Sequence, residues 1–153
     1  MRVAGIDTSS FHIDAAFIDL DTMELDLWMR WDLHGQDAWE RCRSIATAVP
    51  GPTAEIWDDV LAVGVEVAHG MSSGIINRCV GAVLTRLPLE TLVEPWNAPS
   101  WKKAAGLPGN ASKAQIASYA VERIGYELGA QDAYDAWGLA MATVSKIEVG
   151  PQP

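Results

Sequence analysis

From Val60 to Val67 the chain reads Val-Leu-Ala-Val-Gly-Val-Glu-Val, a nearly unbroken apolar run with one acid, Glu66, inside it. Successive residues of a strand point to opposite faces, so both faces of this run need cover, as in the parallel part of an α/β sheet. Flanking segments supply that cover. Upstream, Ala38, Cys42, Ile45 and Val49 recur at helical spacing within Gln36–Val49, and Pro50-Gly51-Pro52 ends the run. Downstream, Gly70–Leu87 is apolar on more than one side until Pro88 stops it.

The same reading extends to both ends. Arg2–Asp7, Phe11–Leu20 and Glu24–Trp31 are rich in strand formers, and Asp21-Thr22 is a tight connection between the last two, so an antiparallel meander is expected. Leu89–Trp96 reads as a strand, Asn97–Asn110 as a loop punctuated by Pro99, Gly106, Pro108 and Gly109, and Ala111–Leu128 and Gln131–Ile147 as helices. The order β-β-β-α-β-α-β-α-α predicts a mixed five-stranded sheet, three strands antiparallel and then parallel, with its first strand central and helices on both faces. A length of 153 residues suits one domain, expected at 1–149, followed by a frayed tail at 150–153. No window is apolar enough to span a membrane, and Asp7 arrives too early for a signal peptide, so a cytoplasmic protein is expected. Cys42 and Cys79 fall in helical segments without zinc-ligand spacing and read as free, largely buried thiols.

Acids placed where burial disfavours them are the chemical clue. Asp7 ends the first strand, Glu66 interrupts the most apolar one, and Asp132 and Asp135 share a face at the start of the final helix. Each has an ordinary role available singly: Asp7 as a turn acceptor, Asp132 as a dipole-favourable first-turn residue, Glu66 as a partner of Arg78 or Lys113. The topology sets the ends of the first and fourth strands side by side, with the last helix able to lie across them. Carboxylates converging there repel one another unless a divalent cation intervenes, and an oxygen-only set suits magnesium or manganese. Two such ions about 3.5–4 Å apart clamp a scissile phosphate, so phosphodiester hydrolysis is the chemistry indicated.

Net charge of −9 argues against a generic nucleic-acid binder, but the average is uneven. Residues 1–60 carry four basic and twelve acidic side chains, whereas residues 67–123 carry six basic and three acidic. The second half can therefore present a positive face.

Four segments, Gly5-Ile6-Asp7-Thr8-Ser9-Ser10, Val63-Gly64-Val65-Glu66, Gly109-Asn110-Ala111-Ser112-Lys113-Ala114-Gln115-Ile116 and Gln131-Asp132-Ala133-Tyr134-Asp135-Ala136-Trp137-Gly138-Leu139-Ala140, together resemble the RuvC family of Holliday junction resolvases, within the RNase H-like superfamily. The likeness runs along nearly the whole chain. A strand ending in Gly-Ile-Asp also opens sugar-kinase and actin-like ATPases, but those need two large domains. The resemblance implies Asp7, Glu66, Asp132 and Asp135 as catalytic metal ligands, two Mg2+ or Mn2+ ions, branched DNA as substrate and Lys113 as the phosphate-contacting lysine. Lys102, Lys103, His69 and Arg78 complete the expected DNA contacts, His69 standing where the family places an aromatic. Phage-encoded members are similarly short, so a bacterial or phage-infected cell is the expected setting.

A two-fold substrate favours a homodimer, and the Gly70–Leu87 helix, with Gly70, Gly74, Gly81 and Ala82, offers a surface for close helix approach. His12 and His34 read as surface or turn residues. Trp28, Trp31, Trp39 and Trp57 read as core or interface, while Trp96 and Trp101 stay open between packing and base contact. Two other functions remain in view: a catalytically idle module that binds nucleic acid or protein, and an RNase H acting on RNA:DNA hybrids.

Overall fold

The computed structural model describes residues 1–70 and 73–148; the expected tail at 150–153 and two residues of the expected Gly70–Leu87 helix lie outside the described residues. Strands β1 (Arg2–Thr8), β2 (His12–Asp19) and β3 (Leu25–Asp32) form the antiparallel meander. Helix α1 (Ala38–Ala48) and a 3-10 turn at Glu55–Trp57 lead to β4 (Val60–Glu66), which pairs parallel to β1. Helix α2 (Ser73–Leu84) leads to β5 (Leu92–Trp96), parallel to β4, and α3 (Ala98–Ala104), α4 (Lys113–Ile124) and α5 (Gln131–Glu148) follow. The strand order β3-β2-β1-β4-β5 puts the first strand at the centre, as the apolar pattern predicts.

Local chemistry sets the helix ends. Asp37 caps α1 by accepting from the backbone N–H groups of Trp39 and Glu40. Ser112 and Gln115 close a reciprocal capping box on α4, and Gly125, at φ 86°, terminates it in the left-handed conformation. Helix α3 corrects the expected loop at Asn97–Asn110. Asn97 caps it through the Ser100 N–H, and Pro99 sits in its first turn, where a missing N–H removes no helical bond.

The sheet divides the interior in two by strand alternation. Ala4 and Ile6 of β1, Ile13, Ala15 and Phe17 of β2 and Val63 and Val65 of β4 pack toward α1 and α2 through Ile45, Cys79, Val80 and Val83. Val3 of β1 and Ala16 and Ile18 of β2 face the opposite layer, built from Trp101 of α3, Ile116 of α4 and the inner side of α5. Positions 7, 12, 14, 64 and 66 share this second face. Two glycines let α5 rest on the strands there. A Cβ on Gly5 would lie 2.1 Å from the Ala136 carbonyl oxygen and 2.3 Å from the Ala140 nitrogen, and one on Gly64 would lie 2.1 Å from the Thr143 hydroxyl.

Two single-residue expectations change. Trp39 is exposed, which removes the core half of its core-or-interface expectation, and the Arg78 guanidinium stands 4.2 Å from its ring centroid. His12 is not a turn residue: it opens β2 on the α5 face. Cys42 and Cys79 are free thiols; Cys79 is buried and Cys42 only half-buried.

Candidate metal centre

Asp7 follows Ile6 in β1 and Glu66 follows Val65 in β4, and Ile6 and Val65 are register partners, so the two acids leave adjacent strand ends on one face. That face is crossed by the N-terminal end of α5, which carries Asp132 in its first turn and Asp135 in the next. Asp7, Asp132 and Asp135 each bring a carboxylate oxygen within 4.8 Å of the others. Glu66 stands close enough to raise the proton affinity of both Asp7 and Asp135. Its Oε2 accepts a 2.7 Å hydrogen bond from the Trp101 indole, so neither Arg78 nor Lys113 is its partner. Trp101 itself is buried under α5, a packing residue that also orients Glu66.

The electrostatics are those of a cluster that Lys113 and His12 compensate only in part. Burial, followed by the charges of Asp135, Asp132 and Glu66, holds the Asp7 carboxyl well above the usual carboxylate range. Burial pushes Asp135 up to about 6, aided by Asp132 and Glu66 and opposed by Lys113. Asp135 Oδ1 is buried and has no hydrogen-bond partner among the described residues. An orphaned anionic oxygen beside other carboxylates fits a hard divalent cation, and an all-oxygen set suits magnesium or manganese. Asp132 behaves oppositely: burial raises its carboxyl, but hydrogen bonds from Lys113 and His12 outweigh that and hold it below the usual range.

Of the expected DNA-contacting residues, Lys113 alone enters the cluster. Its Nζ lies 2.9 Å from Asp132 Oδ1 and 3.6 Å from Asp135 Oδ2. His69 is exposed and shares a cleft with Glu66, Asn97 and Pro99. Lys102 donates to the Ala111 carbonyl at 2.9 Å, and Lys103 is exposed on the same short helix. Arg78 stacks on Trp39 on the opposite side of the sheet and does not join the site.

Three residues absent from the expected set, Asp14, Arg30 and His12, stand beside it. Asp14, with no exposed surface, accepts from Trp28 Nε1 at 3.2 Å and from Arg30 Nε and Nη2 at 3.0 Å each. His12 Nε2 lies 2.8 Å from Asp132 Oδ2. The available signal was an acid between Ile13 and Ala15, the same anomaly that marks Glu66.

A mixed sheet with a central first strand and a helix lying on its glycines is an RNase H-like α/β fold, here with carboxylates gathered at the strand ends. The form it takes is RuvC-like: Thermus thermophilus RuvC superposes with a TM-score of 0.75 at 21% identity, covering 98% of this chain and 97% of that one. T. thermophilus RuvC in complex with a Holliday junction substrate matches at the same TM-score and identity, over 98% of this chain and 96% of that one. No protein-family model matches the sequence, and no curated protein sequence does.

Proposed function

We propose that this chain is a metal-dependent endodeoxyribonuclease that hydrolyses phosphodiester bonds in Holliday junctions or other branched DNA. The observation that carries the reading is the convergence of Asp7, Asp132 and Asp135, with the unpartnered Asp135 Oδ1, at the end of a RuvC-like sheet. Asp7, Glu66, Asp132 and Asp135 hold two magnesium or manganese ions. When bound, these ions supply an activated water and neutralise charge at the scissile phosphate.

The remaining work belongs to the chain's own groups. The Trp101 indole fixes one oxygen of Glu66, and the packing of α5 on Gly5 fixes the spacing of Asp132 and Asp135 from Asp7. Lys113 meets the charge of Asp132 and Asp135 from a largely exposed side chain. Its ammonium, exposed beside those acids, is the group that would contact a phosphate oxygen of the DNA. His69, beside the Glu66 cleft, and Lys102 and Lys103 on α3 extend the contact surface, while Arg78, expected to contact DNA, stacks on Trp39 across the sheet and takes no part in it.

Two matched cuts in a two-fold substrate call for two equivalent sites, so the active form is a homodimer. Gly74 and Gly81 of α2 are open, with nothing within 4 Å of an added Cβ, while Val80 is buried against its own chain. The dimer therefore forms across the glycine side of α2. No helix among the described residues is long and apolar enough to cross a membrane, and the setting proposed is the cytoplasm of a bacterium or a phage-infected one. Incubation with labelled four-way junction, duplex and RNA:DNA hybrid, each in magnesium, manganese and EDTA, tests the reading. Junction cleavage abolished by EDTA supports it. Hybrid cleavage alone assigns an RNase H, and binding without cleavage an idle module.

A further inference from the structure

Behind the carboxylate cluster, on β2 and β3, stand three ionisable side chains that the proposed reaction does not use, His12, Asp14 and Arg30. His12, Asp14 and Asp132 each offer an atom within 4.8 Å of the others, a spacing that suits a cation. Arg30 already supplies that cation. Its Nε and Nη2 grip the two oxygens of Asp14 at 3.0 Å each, and Nη2 stands 4.0 Å from Asp132 Oδ2. A fully buried carboxylate held in a guanidinium fork has both oxygens committed, and a divalent ion placed there would face the arginine charge. This group is a brace, not a metal site.

What the brace acts on is His12. Its Nε2 lies 2.8 Å from Asp132 Oδ2 and 3.5 Å from Asp14 Oδ2. Ionised carboxylate oxygens only accept, so the network assigns the hydrogen to Nε2. The His12 backbone is itself anchored, its N–H donating to Ser9 Oγ at 2.9 Å and its carbonyl accepting from that hydroxyl at 2.8 Å. Asp132 Oδ1 points the other way, toward Lys113 Nζ at 2.9 Å, and that ammonium also reaches Asp135 Oδ2 at 3.6 Å. One oxygen of Asp132 is thus tied to the sheet, while the other meets the ammonium that also contacts Asp135.

We infer that His12, braced by Asp14 and Arg30, is a positioning residue that locks Asp132 in the rotamer presenting Oδ1 to the metal centre. The inference rests on the metal-dependent reading above and assigns to β2 a part in metal binding. Partners that orient a metal ligand are worth about 10–100-fold in affinity when removed. His12 is partly exposed at the sheet edge of the site, so truncating it opens no large cavity.

The test is calorimetric titration of Mn2+ into the wild type, His12→Ala and His12→Gln, with thermal melting of each in EDTA. His12→Ala is expected to bind Mn2+ about 10–100-fold more weakly while melting in EDTA like the wild type. His12→Gln, whose amide N–H reaches the same oxygen, is expected to restore most of the affinity. Wild-type Mn2+ affinity in His12→Ala, or a His12→Gln protein as weak as His12→Ala, overturns the positioning role alone. A wild type that takes up no Mn2+ overturns the metal centre, and this inference with it.

Discussion

Asp135→Asn is expected to stabilise the metal-free protein at alkaline pH while abolishing its response to magnesium. In the fold, burial moves the Asp135 carboxyl from 3.8 to about 6. A carboxyl that holds its proton more tightly folded than unfolded makes the fold lose stability as pH rises from 3.8, and above about 6 the whole penalty is present. That displacement corresponds to about 3 kcal/mol. Asparagine carries no charge at any pH, so the variant escapes the penalty. Against this stand the lost 3.6 Å contact with Lys113 and an amide that must find acceptors, which Asp7 and Asp132 provide. A net gain of roughly 1–2 kcal/mol at pH 8 is expected, shrinking toward zero or below near pH 4. Urea unfolding in EDTA at the two pH values measures it. Magnesium at about 100 times its dissociation constant adds about 2.7 kcal/mol to the wild type, reversing the order of stability. A difference that does not change with pH, or a variant less stable than the wild type at pH 8 in EDTA, refutes the account of an uncompensated buried carboxylate.

Other substitutions probe separate parts of the proposal. Asp7→Asn and Glu66→Gln should each abolish Mg2+- or Mn2+-dependent junction cleavage with circular dichroism unchanged, the second because a glutamine amide oxygen still accepts from the Trp101 indole; full activity in both removes the site assignment. Lys113→Ala should weaken junction binding and reduce the salt dependence of binding by about one phosphate contact, read from affinities between about 50 and 200 mM salt. An unchanged slope makes Lys113 a bystander. Gly81→Glu, on the exposed glycine side of α2, should shift a wild-type dimer toward monomer in sedimentation velocity and depress paired cutting. A monomeric wild type that still makes both cuts in one encounter refutes the dimer.

The sheet order was legible in the meander and the apolar fourth strand, and Asp7 and Glu66 stood out because an acid in an apolar strand is an anomaly that burial makes costly. Asp14 shows the same anomaly yet stays hidden, since His12 and Asp14, two residues apart, mimic the polar side of a half-exposed strand. Only the tertiary placement of Arg30 and Trp28 from β3 shows that this side is covered. His12 is illegible for a related reason: its partner Asp132 lies 120 residues away. Helix α3 is masked by Pro99, which reads as a breaker until Asn97 is recognised as the cap that places it in the first turn. Trp39 misleads because helical periodicity cannot distinguish a tryptophan packed on the sheet from one covered by an arginine of the neighbouring helix.

The seating of α5 on Gly5 has a consequence for synthesis. The centre joins the first strand of the chain to its last described helix, so none of its geometry exists until the ribosome has released nearly everything between them. Contacts of such long sequence separation form late, after the loop-closure entropy of the whole chain has been overcome. A translation product interrupted before Gln131 has Asp7 and Glu66 on adjacent strands but neither of the acids that α5 brings to them. A nuclease of the proposed kind is thereby inert in every form that lacks α5.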